Sequence, residues 1–419
     1  MAQHQDFKKP TFELSMLLYD TRYRSTSFQV IALILFFSLI WWLVNNTMSN
    51  LAITGKDIDF SFLVHESNYD INQRLLEYDS RSTHGRAAVL GVLNTLVLSA
   101  IGCVTATILG VFVGIARLSK NWIVARIMTV HIEIFRNVPL LLWILLIMSM
   151  VAHSFPVPKH FRGADPIATM KLFDSVALTN RGFYIPEPLF SNGFGDMGFF
   201  SNSFYISIDL IVILAILIGS IWASGKIKAR AKRIQEETGI RPTTWYLRLG
   251  VIFIPTILLL VYLGFYLGYP ELKGFNFKGG IHLRNSLIAL WIALSLYTSA
   301  FIAEIVRSGI LAVSKGQTEA AGALGIKPNV IMALVILPQA LKVIVPPLIS
   351  NYLNLTKNSS LAIAVGYMDL TGTLMGITLN QTGRELETLL LGMSIYLTIS
   401  LLISAVINWY NRRNDMVER

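Results

Sequence analysis

Eight times the chain runs for about 20 residues with almost no charge, the length needed to cross roughly 30 Å of hydrocarbon. The stretches fall at about 28–48, 88–116, 131–154, 205–224, 246–268, 285–307, 331–355 and 387–409. Inside hydrocarbon the backbone must satisfy its own N–H and C=O groups, so each stretch must be helical. The sequence therefore predicts an all-α membrane protein of about eight transmembrane helices. Composition agrees, with 53% hydrophobic and only 14% charged residues, against about a quarter charged in soluble proteins. The sixth, seventh and eighth stretches are long enough to reach the interfaces or to tilt. About 27 residues, among them Asp6, Glu13 and Asp20, precede the first stretch. That stretch lacks a clear A-x-A cleavage site, so it is expected to stay as an anchor.

Lys and Arg placement sets the expected orientation. Basic residues gather before the first stretch (Lys8, Lys9, Arg22, Arg24) and between the second and third (Arg117, Lys120, Arg126). They gather again between the fourth and fifth, from Lys226 to Arg233 with Arg241 and Arg248, and in the tail at Arg412, Arg413 and Arg419. These regions, and both termini, are expected on the cytoplasmic side of the membrane. The connections at 49–87 and 155–204 mix acids and bases and are expected outside. The net charge of +10 therefore gives no reason to expect nucleic acid as a partner. The 226–233 cluster is read as a topology determinant, with anionic membrane lipid as its other possible contact.

Several chemistries find no support. A P-loop reads GxxxxGK[ST]. Gly55-Lys56 is followed by Asp57 and Gly225-Lys226 by Ile227, and neither has the upstream Gly. No HExxH, Cys/His cluster or G-x-S-x-G elbow occurs, and the seven His residues are scattered. The single Cys103 allows no disulfide within the chain. The chain is expected to be no enzyme, with no catalytic residue, metal site or cofactor of its own.

One polar connection stands out, Lys315-Gly-Gln317-Thr-Glu319-Ala320-Ala321-Gly-Ala-Leu-Gly325, followed further on by Val335-Ile-Leu337-Pro338. Ser314 and Gln317 have capping-box spacing, the alanines favour helix, and Gly325 suits a C-terminal stop. A helix of about ten residues is too short to be stable alone in water, so it calls for a docking surface.

This spacing resembles the EAA motif of ABC importer permeases, with Val335 in place of the usual Ile. Flanking elements strengthen the resemblance to the polar amino-acid branch. They are Leu90-Gly-Val-Leu-Asn94-Thr95, Glu133-Ile-Phe-Arg136-Asn137-Val-Pro139-Leu-Leu, Tyr297-Thr298-Ser-Ala-Phe-Ile-Ala-Glu304-Ile-Val-Arg307, and Asn358-Ser359-Ser360-Leu361. The N-terminal Arg22-Tyr-Arg24-Ser-Thr-Ser-Phe28, the extra spans and the length of 419 residues are similar to the Q-type permease subunit of general L-amino-acid importers. The resemblance implies a five-helix core from spans two, three, six, seven and eight, carried by 88–154 and 284–410. The remainder would be an N-terminal segment (1–87), an inserted external loop and two-helix hairpin (155–283) and a tail (411–419). It implies a bacterial inner membrane, a second homologous permease subunit, two ABC ATPase subunits holding ATP and Mg, and an external amino-acid-binding protein. Gln317, Glu319, Ala320, Ala321 and Gly325 would be the ATPase-coupling residues. The alternative is an ion-coupled secondary amino-acid transporter.

Polar groups inside spans are costly and so carry information. Glu304 and Arg307, three residues apart, can pair, either to fix helix depth at the interface or as part of a gate. Glu133 and Arg136 repeat that spacing, and Pro139 is expected to kink span three. Candidates for the translocation path are Asn94, Thr95, Arg136, Asn137, Tyr297, Thr298, Asn354, Lys357, Asn358 and Ser359, since a zwitterion needs both donors and acceptors. For each, hydrogen bonding between helices is the competing role. Asp209, at the outer end of span four, is expected at the solvated interface.

Overall fold

The structure, a computed structural model, describes residues 16–163, 166–199, 204–240 and 242–414. Lys8, Lys9, Arg241 and Arg419 lie outside them, and only the backbone is described at Arg22, Arg412 and Arg413. Contacts divide the chain into two units, Met1–Phe60 and Ser61–Arg419. In the first, α1 (Thr21–Ile53) carries the first span.

In the second unit, α2 (His84–Arg117), α3 (Trp122–Asn137) and α4 (Leu140–Ser154) come first. Five short strands follow: β1 (Ala177–Thr179), β2 (Gly182–Ile185), β3 (Glu187–Phe190), β4 (Asp196–Phe199) and β5 (Phe204–Ser207). A helical hairpin, α5 (Ile208–Thr238) and α6 (Trp245–Tyr262), leads to β6 (Phe265–Gly268), β7 (Glu271–Lys273), β8 (Asn276–Lys278) and β9 (Ile281–Leu283). Then come α7 (Asn285–Leu311), the short α8 (Lys315–Ala323), α9 (Leu337–Asn358) and α10 (Glu385–Asn414). Among the described residues eight helices are long and apolar enough to cross a membrane.

α7 is the axis of the second unit, and its sides bury Ile288, Leu290, Leu294, Ile302 and Val306. α2 can lie close against it because Gly102, Ala106, Gly110 and Gly114 recur every four residues, one stripe on a helix face. A Cβ at Gly110 would sit 2.6 Å from the Ile302 side chain and 2.9 Å from the Ser299 carbonyl. One at Gly114 would lie 2.7 Å from the Ala303 carbonyl. Small residues permit such approach, and dispersion then holds the helices where lipid gives little hydrophobic drive. α4 and α9 add Ile144, Ile147, Ala340 and Ile344 to the same core.

Four expectations need correction. Span three is two helices rather than one kinked helix. Val138, before Pro139, is extended at φ −102, ψ 133, because the proline ring disfavours helical geometry in the preceding residue. Span five ends at Tyr262, and 265–268 forms β6. The inserted region carries strands as well as helices. In it β1-β2-β9 makes an antiparallel sheet, with Phe183 opposite Leu283, while β3–β6, β4–β5 and β7–β8 pair separately. Span four reaches Thr238, well past its expected end.

Span seven departs from regular helix in a way the sequence explains. Pro338 has no N–H to donate to the carbonyl four residues earlier. Just ahead of it, Met332–Ile336 widens into a π-helical turn, and the Leu337 N–H reaches back to the Met332 carbonyl.

Candidate functional site

α8 is defined at both ends by its own sequence. The Ser314 side chain accepts from the Gly316 N–H at 3.3 Å. This replaces the bond to the third helical N–H that a capping box would make; the Gln317 N–H goes to the Ser314 carbonyl at 3.1 Å. At the other end the Gly325 N–H bonds the Gly322 carbonyl at 2.9 Å, and the Ile326 N–H the Ala321 carbonyl at 3.3 Å. Those two bonds make a Schellman stop, which needs a left-handed residue, and Gly325 supplies it at φ +74. Within α8 only Ala321 is buried; Gln317, Glu319 and Ala320 are exposed, as is Leu324 just beyond at 80%. The result is a preformed helix with a free polar and small-residue face.

At the same end of the bundle, Glu304 of α7 receives two guanidinium groups. Arg307 binds its Oε1 through Nη2 at 2.6 Å and Nε at 3.1 Å. Arg117, at the end of α2, donates to its Oε2. The Arg136 charge also acts on Glu304, and its guanidinium lies 5.4 Å from the Phe301 ring, within cation–π range. The Glu133–Arg136 pair expected from spacing does not form. Glu133 instead accepts from Asn137 Nδ2 at 3.0 Å, because α3 ends there and Arg136 turns to the aromatic face of α7.

The remaining path candidates divide by exposure. Arg136, Asn137, Asn354 and Lys357 are exposed, and Tyr297 and Asn358 are half-buried. Asn94, Thr95, Thr298 and Ser359 are buried. Asn94 donates through Nδ2 to the Gln73 and Met368 carbonyls, both at 2.8 Å. Thr95 Oγ1 accepts from the Leu370 N–H at 3.1 Å and donates to the Gly91 carbonyl at 2.9 Å. These are interior ties at the His84 end of α2, and two of them hold Met368 and Leu370, on either side of a residue to which the sequence assigned no role.

That residue is Asp369, fully buried between spans seven and eight. Its carboxylate accepts from the Gly372 N–H at 2.8 Å, Tyr396 Oη at 3.1 Å and Ser359 Oγ at 3.5 Å. It thus joins the end of span seven, the π-helical turn Thr371–Thr378 and α10. Burial pushes its carboxyl up to about 6, against the pull of those hydrogen bonds. No local pattern announces it, since its partner on α10 stands 27 residues away.

Asp209 also differs from expectation. It is buried at 7% exposure, and its Oδ1 accepts from the Phe194 N–H at 2.8 Å, so it pins a loop rather than meeting water.

Comparison with known proteins adds relatives. Residues 242–415 match the family described as binding-protein-dependent transport system inner membrane component. The chain is 55% identical to the glutamate/glutamine/aspartate/asparagine transport system permease protein BztB of Rhodobacter capsulatus, over 100% of both chains. It is 41% identical to the putative amino-acid ABC transporter permease protein YhdX of Escherichia coli, over 98% of this chain and 99% of that one. It is 40% identical to the general L-amino acid transport system permease protein AapQ of Rhizobium johnstonii, over 96% and 95%.

Proposed function

The chain belongs to the inner-membrane components of binding-protein-dependent transport systems, as an amino-acid ABC transporter permease, and from that premise we propose how it works. Membership in this family sets aside the ion-coupled alternative. The chain moves L-amino acids and leaves ATP hydrolysis, with its Mg²⁺, to two separate ATPase subunits. It pairs with a second homologous permease, and an external binding protein delivers substrate. Its termini and α8 face the cytoplasm.

α8 is the element that transmits ATPase closure, and its geometry carries this reading. A nine-residue helix, capped at both ends and exposed on all but Ala321, has little reason to hold together in water alone. It gains stability by docking in a groove. Movement there passes into α7 and α9, which flank it in sequence and pack against each other through Gly309, Ile344 and Ala340. The Arg117–Glu304–Arg307 cluster lies on that route, at the end of α7. Rocking α7 against α2 would expose the path to each side in turn.

Glu319→Lys tests this. The exposed charge reverses while every span stays intact. Membrane levels should stay normal, while co-purification of the ATPase and uptake both fall. Normal uptake with the reversed charge removes α8 from the coupling role.

A further inference from the structure

Where the inserted sheet meets the core, the second unit forms an open cavity of about 360 Å³, within the range of small-ligand sites. The turn between β1 and β2 brings Asn180 and Arg181 to its wall. The strand β9 runs through Arg284 into α7 and brings His282, Arg284 and Asn285. Met148 of α4 and Val365 at the end of span seven also line it, and both pack against the core.

The polar atoms in this wall are unmatched in a specific way. Arg284 Nε, Asn180 Oδ1 and Asn285 Oδ1 are buried without a hydrogen-bond partner, and Asn285 as a whole is 6% exposed. Buried polar atoms left unpaired are costly and call for a partner. The 27-residue α7 starts here with no side chain capping its N–H groups, since Arg284 occupies the N-cap, and such an end favours an anion. Neither Arg181 nor Arg284 forms an ion pair with a carboxylate among the described residues. Burial draws the Arg284 guanidinium below its ordinary value, with Asp70 opposing from a distance. His282 is fixed by stacking on Tyr184 at 4.2 Å and by its contact with the Arg181 carbonyl at 3.2 Å. One orphaned donor beside a helix N-terminus and two orphaned acceptors match the two ends of a zwitterion. The second guanidinium, Arg181, matches an acidic side chain.

We propose that this cavity is an entry site for a free acidic amino acid, handed over before it reaches the span bundle. Its α-carboxylate lies at Arg284 and the start of α7. Its ammonium lies between Asn180 Oδ1 and Asn285 Oδ1, and its side-chain carboxylate meets Arg181. The inserted region thereby contributes directly to substrate capture. The inference rests on the transporter reading above.

The test is equilibrium binding of radiolabelled L-glutamate to the assembled complex in lipid nanodiscs, without binding protein. Saturable binding is expected. Arg284→Gln and Arg181→Gln should each weaken it by about tenfold or more, the scale of a lost charge-assisted bond. Arg284→Lys, which keeps the charge but not the fork, should lose less than Arg284→Gln. Glutarate, which lacks the ammonium, should compete poorly. Absence of saturable binding, undiminished binding in Arg284→Gln, or equal competition by inorganic phosphate each overturns the proposal. ATP-driven uptake with binding protein is measured on the same wild-type complex reconstituted into sealed lipid vesicles. Lost uptake there counts against the transporter reading, whereas normal uptake without glutamate binding counts against this site alone.

Discussion

Arg117, the last residue of α2, donates to Glu304 about two turns from the end of α7, and so ties the two most closely packed helices of the core at one end. Arg307 takes the other oxygen of the same carboxylate. All three side chains are partly exposed, at 18%, 27% and 31% for Arg117, Glu304 and Arg307, so water moderates the pairing.

Removing the shared acid leaves two guanidinium groups facing each other. Glu304→Gln should cost roughly 1–2 kcal/mol of stability, below the figure for a fully buried pair. Arg117→Ala and Glu304→Gln together should cost less than the sum of the single changes, since both break one contact. Melting of the purified complex across the double-mutant cycle measures this. Additive effects would mean that the two residues act independently.

The stripe on α2 makes a contrast with α5. Gly110→Leu pushes a side chain into Ile302 and the Ser299 carbonyl, whereas a side chain at Gly219 of α5 meets nothing within 4 Å. Gly110→Leu should lower the yield of assembled complex severely, with overpacking of about 1–3 kcal/mol or more. Gly219→Leu should leave it near wild type. Size-exclusion yield of the two variants decides, and similar losses would mean that close α2–α7 approach is not what limits assembly.

At α8 the stop matters more than the sequence inside it. Gly325 holds φ +74, where a β-branched residue is strained by roughly 1–2 kcal/mol. Gly322 has no such backbone and nothing within 4 Å of a Cβ. Gly325→Val should weaken ATPase co-purification and uptake, while Gly322→Ala, which raises helix propensity by about 1 kcal/mol, should preserve both. Equal effects from the two would separate docking from the Schellman stop.

Orientation is checked by cysteine labelling in a Cys103→Ala background. Ser314→Cys and Lys232→Cys should react only from the cytoplasmic side, and Asn192→Cys from outside. Ser67 is unsuitable as an outside reporter, because it is fully buried and bonded to Tyr78 Oη at 2.6 Å. Labelling of Asn192→Cys from the cytoplasm alone would invert the topology.

The spans were legible because each depends only on local hydrophobicity and length, and α8 because its cap and stop are local too. Pro139 was legible as a disturbance, but its consequence was not. A kink and a full break differ in the backbone of Val138 and Pro139, both extended here, and the proline's local bias does not by itself say which of the two results. The strands at 177–283 escaped because each has three or four residues, too few for an alternating pattern to register. The Gly102–Gly114 stripe was present in the sequence, but its meaning depends on which helix lies opposite. Glu133 and Arg136 had the right spacing to pair, and Asn137 and Phe301 took them instead. Asp369 was silent for the strongest reason, since its partners come together only when spans seven and eight have folded.

That buried carboxyl gives a pH signature with a fixed sign. In the unfolded chain Asp369 titrates near 3.8, and in the fold at about 6. Below both values it is protonated in either state and contributes nothing. Between them the folded chain holds the extra proton, so stability falls as pH rises from about 4 to about 6 and then levels off. The full cost is no more than about 3 kcal/mol. Asp369→Asn keeps an oxygen for the Gly372 N–H and cannot ionise. The melting temperature of Asp369→Asn minus that of wild type should therefore climb between pH 4 and 6 and stay level above. A difference that does not change with pH would show that the carboxylate stays ionised throughout, held by Gly372, Tyr396 and Ser359 more strongly than burial opposes it.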